Sequence, residues 1–210
     1  MDILGKLFGS TLRVKLLRFF LFNPQVVYDA DTLAKRSQAK IVDVKKECNL
    51  LFKVNFVKEK QYTKDIEKKV KKGKKMVTEI VKKKVIGFTL NPNFEYAETL
   101  KTVLLDFQFL DRNAVGDRFK KAGRIKFLAI AGIFLNNLDA RADIIIVGDQ
   151  LNRSIVEAEI KKLEAELGKD LVYALFETPD FEYRLKMYDK FIRDILDFEH
   201  HRLIEKMSVR

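Results

Sequence analysis

The stretch that decides the fold of the first part of the chain is YDADTLAKRSQAKIVDVKKECNLLFK, residues 28–53. Asp29 is a residue type that caps helices, and residues 32–36 fill a short helix behind it. Apolar residues then recur at steps of three and four: Ile41, Val44, Cys48 and Leu51. This period predicts a second helix, from about Lys40 to Lys53, with one buried stripe.

Further elements flank this helical pair on both sides. An amphipathic pattern over residues 10–22 predicts a preceding helix, capped by Ser10 or Thr11. Apolar runs around residues 54–58 and 84–90 predict two strands. The segment between them, residues 58–84, holds 12 lysines and 4 acidic residues. For this segment an insertion, a long helical arm and a flexible solvated loop all stay open.

Three helices followed by two strands resemble a winged helix-turn-helix domain, here over residues 1–92, with residues 58–84 as an unusually long wing. The resemblance implies that the helix over residues 40–53 is a recognition helix for the major groove of duplex DNA. Lysine and asparagine on its outer face could contact base edges, and the turn and the wing could contact phosphates. The implied DNA-binding residues are Arg36, Ser37, Gln38, Lys40, Lys45, Lys46, Asn49, Lys58, Lys60, Lys68, Lys69, Lys71, Lys72, Lys74 and Lys75.

The positive charge of the chain is concentrated in its first part. The 210 residues carry 41 Lys+Arg and 30 Asp+Glu, a formal net charge of +11. Residues 1–84 hold 22 basic and 9 acidic side chains, whereas residues 85–210 hold 19 and 21. This asymmetry is typical of a module that binds a polyanion, joined to a nearly neutral module with another role.

The second part of the sequence alternates predicted strands and helices. A helical period over residues 94–122 predicts a helical connector, residues 93–123. The elements predicted after it are strands at residues 126–134, 142–149 and 171–176 and helices at residues 153–167 and from 179 past 198. This order predicts a small α/β unit over residues 124–210, and therefore an α+β class for the whole chain.

Residues 124–198 resemble the minimal nucleotidyltransferase-like domain, which follows a winged helix in some prokaryotic regulators. The phrase TLNPNFEYAETLK, residues 89–101, resembles the connector of such proteins. Active members carry a Gly-Ser turn after the first strand and an Asp-x-Asp pair that holds a divalent metal. Here the Gly-Ser turn is missing, and Arg141-Ala142-Asp143 stands where the acidic pair is expected. The resemblance therefore implies a degenerate domain, and we interpret Asp143 as a strand-end residue paired with Arg141.

The sequence contains few other residues that could form a catalytic or metal site. Cys48 lies on the buried stripe, which favours a core thiol over a nucleophile. His200 and His201 are adjacent and point to different faces of the predicted last helix, so they do not form a metal site. The sequence has no P-loop, no GxGxxG and no Ser-His-Asp grouping. We predict no enzymatic activity, no catalytic residues, no bound metal and no cofactor.

Together these patterns predict a transcriptional regulator that binds double-stranded DNA as a homodimer. The apolar helices over residues 94–110 and 179–198 are candidate dimer surfaces, and the identity of any small-molecule or nucleotide effector stays open. Two alternatives also stay open: an active metal-dependent nucleotidyltransferase that uses Asp143, and a winged-helix scaffold that binds RNA or protein. The sequence shows no signal-peptide pattern and no long apolar run, so we expect no membrane association and a cytoplasmic location.

Overall fold

The structure, a computed structural model, describes residues 3–72, 75–106, 112–137 and 139–209, without the side chains of residues 67–72, 75–79, 112 and 113. The chain forms two compact units, Met1–Lys101 and Thr102–Arg210. Helices and strands occur in both, so the predicted α+β class is confirmed.

Four helices open the first unit: α1 (Ile3–Leu7), α2 (Thr11–Phe22), α3 (Ala30–Ser37) and α4 (Ile41–Lys53). The side chain of Ser10 caps α2 by accepting a hydrogen bond from the backbone N–H of Arg13 at 3.2 Å. Asp29 caps α3 in the same way, from Thr32 at 2.7 Å. Gln38 ends α3 in the left-handed conformation, with a φ of 53°, and this turns the chain into α4.

The core of the first unit is built around α2. Leu16 and Phe20 of this helix are fully buried. The Phe20 ring meets the rings of Tyr28 and Phe56 edge to face, with centroids 6.2 Å and 6.3 Å apart. This geometry is one that aromatic pairs favour.

The buried stripe of α4 matches the sequence period at three of its four positions: Val44, Cys48 and Leu51. Ile41 was expected in the same stripe, but 36% of it is exposed. It is the first residue of α4 and lies at the edge of the packed face. Because α4 packs along one side, its opposite side faces solvent.

A long two-stranded ribbon follows α4. Its strands, β1 (Val57–Lys72) and β2 (Lys75–Leu90), pair antiparallel from Val57 opposite Leu90 outward. Strands of this length extend for about 50 Å. The helical arm and the solvated loop are therefore wrong for the described residues of this segment, 58–72 and 75–84, whereas an insertion stays a prediction. β-branched residues such as Ile66, Val81 and Val85 recur among the lysines and favour extended backbone.

The base of the ribbon is fixed to the helices through backbone contacts. Tyr28 and Phe88 exchange two hydrogen bonds, of 2.9 Å and 2.8 Å. A Cβ atom on Gly87 would lie 2.8 Å from Val27 Cγ1 and 2.9 Å from the carbonyl oxygen of Tyr28. Glycine is therefore required at this position for the strand to approach so closely. Asn91 closes the ribbon by donating from its side chain to the carbonyl oxygen of Asn55 at 2.8 Å.

In its described residues, the predicted helical connector contains two separate helices. These are α5 (Ala97–Leu104) and α6 (Arg112–Arg118), and a 3₁₀ turn over Phe119–Lys121 follows α6. The prediction of continuous helical structure over residues 94–122 is confirmed only for these parts. Residues 107–111, which belong to the predicted helix and to one candidate dimer surface, lie outside the described residues.

A four-stranded sheet forms the centre of the second unit. Its strands are β3 (Arg124–Ile130), β4 (Ile144–Asp149), β5 (Tyr173–Glu177) and β6 (His201–Glu205), in the spatial order β5-β4-β3-β6. β3 pairs antiparallel with β4 and with β6, whereas β4 and β5 are parallel. The predicted helix α7 (Arg153–Leu167) connects the parallel pair and ends at Gly168, which has a φ of 80°.

The C-terminal part departs from the prediction of one long helix. It contains α8 (Thr178–Lys186) and α9 (Lys190–Asp197) instead. Tyr188 between them has a φ of 54°. Asp189 then caps α9 by accepting from the backbone N–H of Phe191 at 2.9 Å, and this new helix start turns the chain. His200 and His201 therefore lie after the helices, with His201 opening the edge strand β6.

Within the described ranges, no helix combines the length and the apolar content needed to cross a bilayer.

Candidate nucleic-acid interface

The outer side of α4 carries an exposed mixed stripe: Val42, Lys46, Asn49 and Lys53. These residues follow one another at steps of four, three and four, so they lie on one side of the helix. They lie opposite the buried stripe that contains Cys48. Lys45 flanks the exposed stripe and is also exposed. We call this set the α4 outer face.

The polar groups of the α4 outer face are available for a ligand. Lys45, Lys46 and Asn49 have no side-chain hydrogen bond or ion pair within the described part of the chain. Of the two acids on α4, Glu47 accepts from Arg13 Nε at 2.8 Å, whereas Asp43 is exposed in the first turn and forms no ion pair with the lysines. Lysine ammonium groups and an asparagine amide are groups that pair with acceptors and donors on base edges.

The three residues predicted to contact phosphate at the turn, Arg36, Ser37 and Gln38, differ in how far their side chains are exposed. Ser37 is fully buried and its hydroxyl donates to the carbonyl oxygen of Leu33 at 2.6 Å, so the prediction that it contacts phosphate is wrong. The Arg36 guanidinium lies over the ring of Phe19, 5.2 Å from its centroid, and is half-buried. Gln38 is exposed, and so is Lys40, which precedes α4. The turn therefore presents a smaller polar surface than the sequence indicated.

A buried carboxylate at the start of α3 binds two side chains from the first half of β1. Asp29 Oδ2 accepts a hydrogen bond from the Tyr62 hydroxyl at 2.6 Å and from Lys64 Nζ at 2.6 Å. Lys64 Nζ also donates to Thr32 Oγ1 at 2.8 Å. Tyr62 and Lys64 are two positions apart on β1, so both point to the same face of the ribbon. We call these four residues the Asp29 cluster.

The Asp29 cluster shifts the ionisation of its own members. Burial opposes the charged form of Asp29, but the hydrogen bonds from Lys64, Tyr62 and Thr32 outweigh it and hold the pKa of this carboxyl well below its ordinary value. Burial and the bond to Asp29 raise the pKa of Tyr62 to about 12. The sequence identified Asp29 as a cap but missed its partners on β1. Tyr62 and Lys64 are two positions apart, and this spacing places them on one face only if residues 57–72 are known to form a strand.

The ribbon presents many lysines. Lys58 and Lys60, both predicted to bind DNA, are exposed near its base. Lys82, Lys83 and Lys84 on β2 are also exposed, and the sequence interpretation had left them out. The side chains of Lys68, Lys69, Lys71, Lys72 and Lys75, and the whole of Lys74, lie outside the described residues. Exposed lysines of this kind can contact phosphates, which adds affinity without reading the base sequence.

Both carboxylate oxygens of Asp143, in the second unit, accept hydrogen bonds from backbone N–H groups. Its Oδ1 accepts from the N–H of Ile133 at 2.8 Å and its Oδ2 from the N–H of Val172 at 2.8 Å. Its expected partner Arg141 instead binds Asp194 at 3.1 Å, so the predicted local salt bridge is wrong. The carboxylate thus links the segments that contain Ile133 and Val172 to the residue that precedes β4.

The other candidate catalytic or metal-binding residues in the described part of the chain also have structural roles. No group of three or more His, Cys, Asp or Glu residues is placed there to hold a metal ion. His200 Nδ1 lies 2.8 Å from the carbonyl oxygen of Phe198, and Arg202 Nε donates to His200 Nε2 at 3.2 Å. Cys48 is fully buried, and burial together with the charge of Glu47 raises its pKa to about 12. Such a thiol is a poor nucleophile.

Comparison of the chain with protein-family models, with curated proteins and with solved structures gave no match.

Proposed function

We propose that this protein is a DNA-binding transcriptional regulator whose first unit acts as a winged helix-turn-helix domain. In this proposal α4 is the recognition helix and the β1–β2 ribbon is the wing. The observation that carries it is the α4 outer face, where Lys45, Lys46 and Asn49 are exposed and lack partners among the described residues. A helix with one buried side and one such polar side has the form that major-groove reading requires.

The α4 outer face and the ribbon would make different contributions to binding. Lys46 can donate to guanine and Asn49 can form two hydrogen bonds with adenine, while the exposed Val42 can contact a thymine methyl group. The ribbon lysines would bind phosphates and release counterions, which adds affinity without reading the sequence. We therefore expect specificity from α4 and salt-sensitive affinity from both elements.

The second unit is proposed to be a degenerate nucleotidyltransferase-like module that pairs two copies of the chain in the cytoplasm. What argues against a transfer reaction is that both oxygens of Asp143 already accept backbone N–H groups. Support for pairing comes from exposed aromatic and methionine side chains along α8, α9 and the turns beside them: Tyr183, Met187, Tyr188, Phe191 and Phe198. Such side chains are enriched in protein interfaces. A homodimer would address a palindromic site.

The test is duplex binding measured by fluorescence anisotropy over a range of salt concentrations. The variant Lys45→Ala/Lys46→Ala removes two cations from the α4 outer face. The control Lys161→Ala/Lys162→Ala removes the same charge from two adjacent exposed positions of α7 in the second unit. If both α4 lysines contact phosphate, their loss lowers the slope of log K against log salt by about 2, since each phosphate contact contributes about 0.9.

The outcomes separate the proposal from its alternatives. Equal effects of the two double variants would show that α4 has no special role. Tighter binding to structured RNA than to duplex DNA would favour the RNA-binding scaffold. Magnesium-dependent transfer from ATP that disappears in Asp143→Ala would favour the nucleotidyltransferase.

A further inference from the structure

The second unit contains a charged groove at one end of its sheet. The groove has a volume of about 750 Å³ and lies where β3 begins and where β4 and β6 end. This is the size of pockets that hold a nucleotide-sized molecule. The charged residues that line it are Asp117, Lys120, Arg124, Lys126, Asp149 and Lys206.

Two of the four cations in the groove form no ion pair within the described ranges. Lys120 binds Asp117 at 2.6 Å, and Lys126 binds Asp149 at 3.1 Å. The side chains of Arg124 and Lys206 make no hydrogen bond or ion pair within the described ranges, and both are exposed. Arg124 lies close enough to Asp149 to interact with it electrostatically, whereas Lys206 has no such interaction with a described residue. The groove therefore carries an excess of positive charge, including one guanidinium that can bind a phosphate through two hydrogen bonds.

The rest of the lining suits the other parts of a nucleotide. Ile125 is buried in the wall, and Leu203 and Ile204 add partly buried apolar surface from β6. A planar base can pack against such side chains. The carboxylates of Asp117 and Asp149 are acceptors that can take hydrogen bonds from ribose hydroxyls or from a base amino group.

The groove is separate from the region around Asp143, where the nucleotidyltransferase resemblance places the metal-binding acidic pair. Asp143 precedes the first residue of β4, whereas Asp149 is the last residue of that strand. Six residue steps along an extended strand correspond to about 20 Å. The two locations are therefore at opposite ends of the sheet.

From the charge, size and lining together we infer that this groove binds a nucleotide. Arg124 and Lys206 hold the phosphates, Ile125 and Leu203 contact the base, and the acidic pair accepts from the sugar or base. A site of this kind would serve as an effector site. The inference is independent of DNA binding by the first unit.

The experiment is isothermal titration of the full-length protein with each of the four ribonucleoside triphosphates, with adenosine and inorganic phosphate as comparison probes. We expect saturable binding of at least one triphosphate and weaker binding of both comparison probes. The variant Arg124→Gln/Lys206→Gln should weaken this binding by at least about tenfold, because two charge-assisted contacts are lost. The control Lys161→Gln/Lys186→Gln should leave it unchanged. All four positions are exposed, and thermal melts establish that the variants fold.

Several results would overturn the inference. These are the absence of saturable binding for all four triphosphates, equal binding of inorganic phosphate, and full binding by Arg124→Gln/Lys206→Gln. If that variant loses duplex binding while the wild type binds no triphosphate, the groove is part of a DNA surface instead. Failure of the DNA-binding proposal would look different, since Lys45→Ala/Lys46→Ala would then leave duplex binding unchanged whatever the titration shows.

Discussion

Replacing Asp29 by Asn should destabilise the first unit without removing the cap of α3. Asparagine caps helices about as well as aspartate, so the bond to the Thr32 N–H is retained. What is lost is the negative charge that accepts two hydrogen bonds of 2.6 Å, from Tyr62 and Lys64. Hydrogen bonds to a charged partner contribute about 1.5–3 kcal/mol and neutral ones about 0.5–1.5. The free energy of unfolding should therefore fall by about 2 kcal/mol.

The effect of this substitution should depend on pH in a defined direction. The pKa of Asp29 is lower in the folded state than its unfolded value of about 3.9. Its ionisation therefore stabilises the fold fully at pH values above the unfolded pKa. This contribution is lost as the pH falls from about 4 toward the lower folded pKa. The stability difference between wild type and Asp29→Asn should be greatest near neutral pH and should shrink in acid.

The assay is urea unfolding followed by circular dichroism at a series of pH values. Asp31→Asn is the matched control, because Asp31 has the same charge in the first turn of α3 but is exposed. It should cost less than about 1 kcal/mol, the range of an exposed charge near a helix N-terminus. Equal effects of the two substitutions, or a difference for Asp29→Asn that does not shrink in acid, would refute the role assigned to the Asp29 cluster.

Three further substitutions or reactions test other parts of the structure. Gly87→Ala should lower the free energy of unfolding by about 1–3 kcal/mol in thermal melts, because its methyl group would press on the Tyr28 carbonyl oxygen; an unchanged melt would contradict the close approach. Asp143→Ala should lower stability by about 2 kcal/mol through loss of the bonds from Ile133 and Val172, and a fully stable variant would contradict this role. Cys48 should react with a thiol reagent only as fast as the first unit unfolds, and rapid labelling of the native protein would show that it is not buried.

Local sequence patterns predicted the elements whose contacts are close in the chain. The recurrence of Val44, Cys48 and Leu51 predicted α4 and its buried side, because helical neighbours are three and four residues apart. Ser10, Asp29 and Gly168 were recognised at helix ends for the same reason. The α4 outer face followed directly, since exposed positions of a helix are those opposite its buried stripe.

The ribbon and the C-terminal region depended on contacts that the sequence does not display. Dense lysines over residues 58–84 favoured a solvated loop, yet pairing with a second strand outweighs their weak strand preference. The bonds from Tyr62 and Lys64 to Asp29 span more than 30 positions, so no local pattern indicates them. β6 pairs with β3, whose partner residues lie more than 70 positions earlier in the chain, so no local pattern indicates this strand.

Some residues of the candidate site were predicted correctly and others were not, because only some of their contacts are local in sequence. Exposure of Lys45, Lys46 and Asn49 followed from helical period alone. The burial of Ser37 did not, because its hydroxyl is satisfied within its own helix and so tolerates the core. Arg36 is drawn over an aromatic ring that belongs to α2, which is again a non-local contact.

Selection from a random pool of duplex DNA at two salt concentrations tests the central claim most directly. The wild-type protein should enrich a motif, and its affinity at low salt should fall steeply as salt rises, by a factor of about 500 between 50 and 200 mM if five phosphates are contacted. Asn49→Ala should retain salt-sensitive binding but lose preference at one adenine position. Duplex binding without any enriched motif, or a motif unchanged by Asn49→Ala and by Lys46→Ala, would contradict the assignment of α4 as the reading helix.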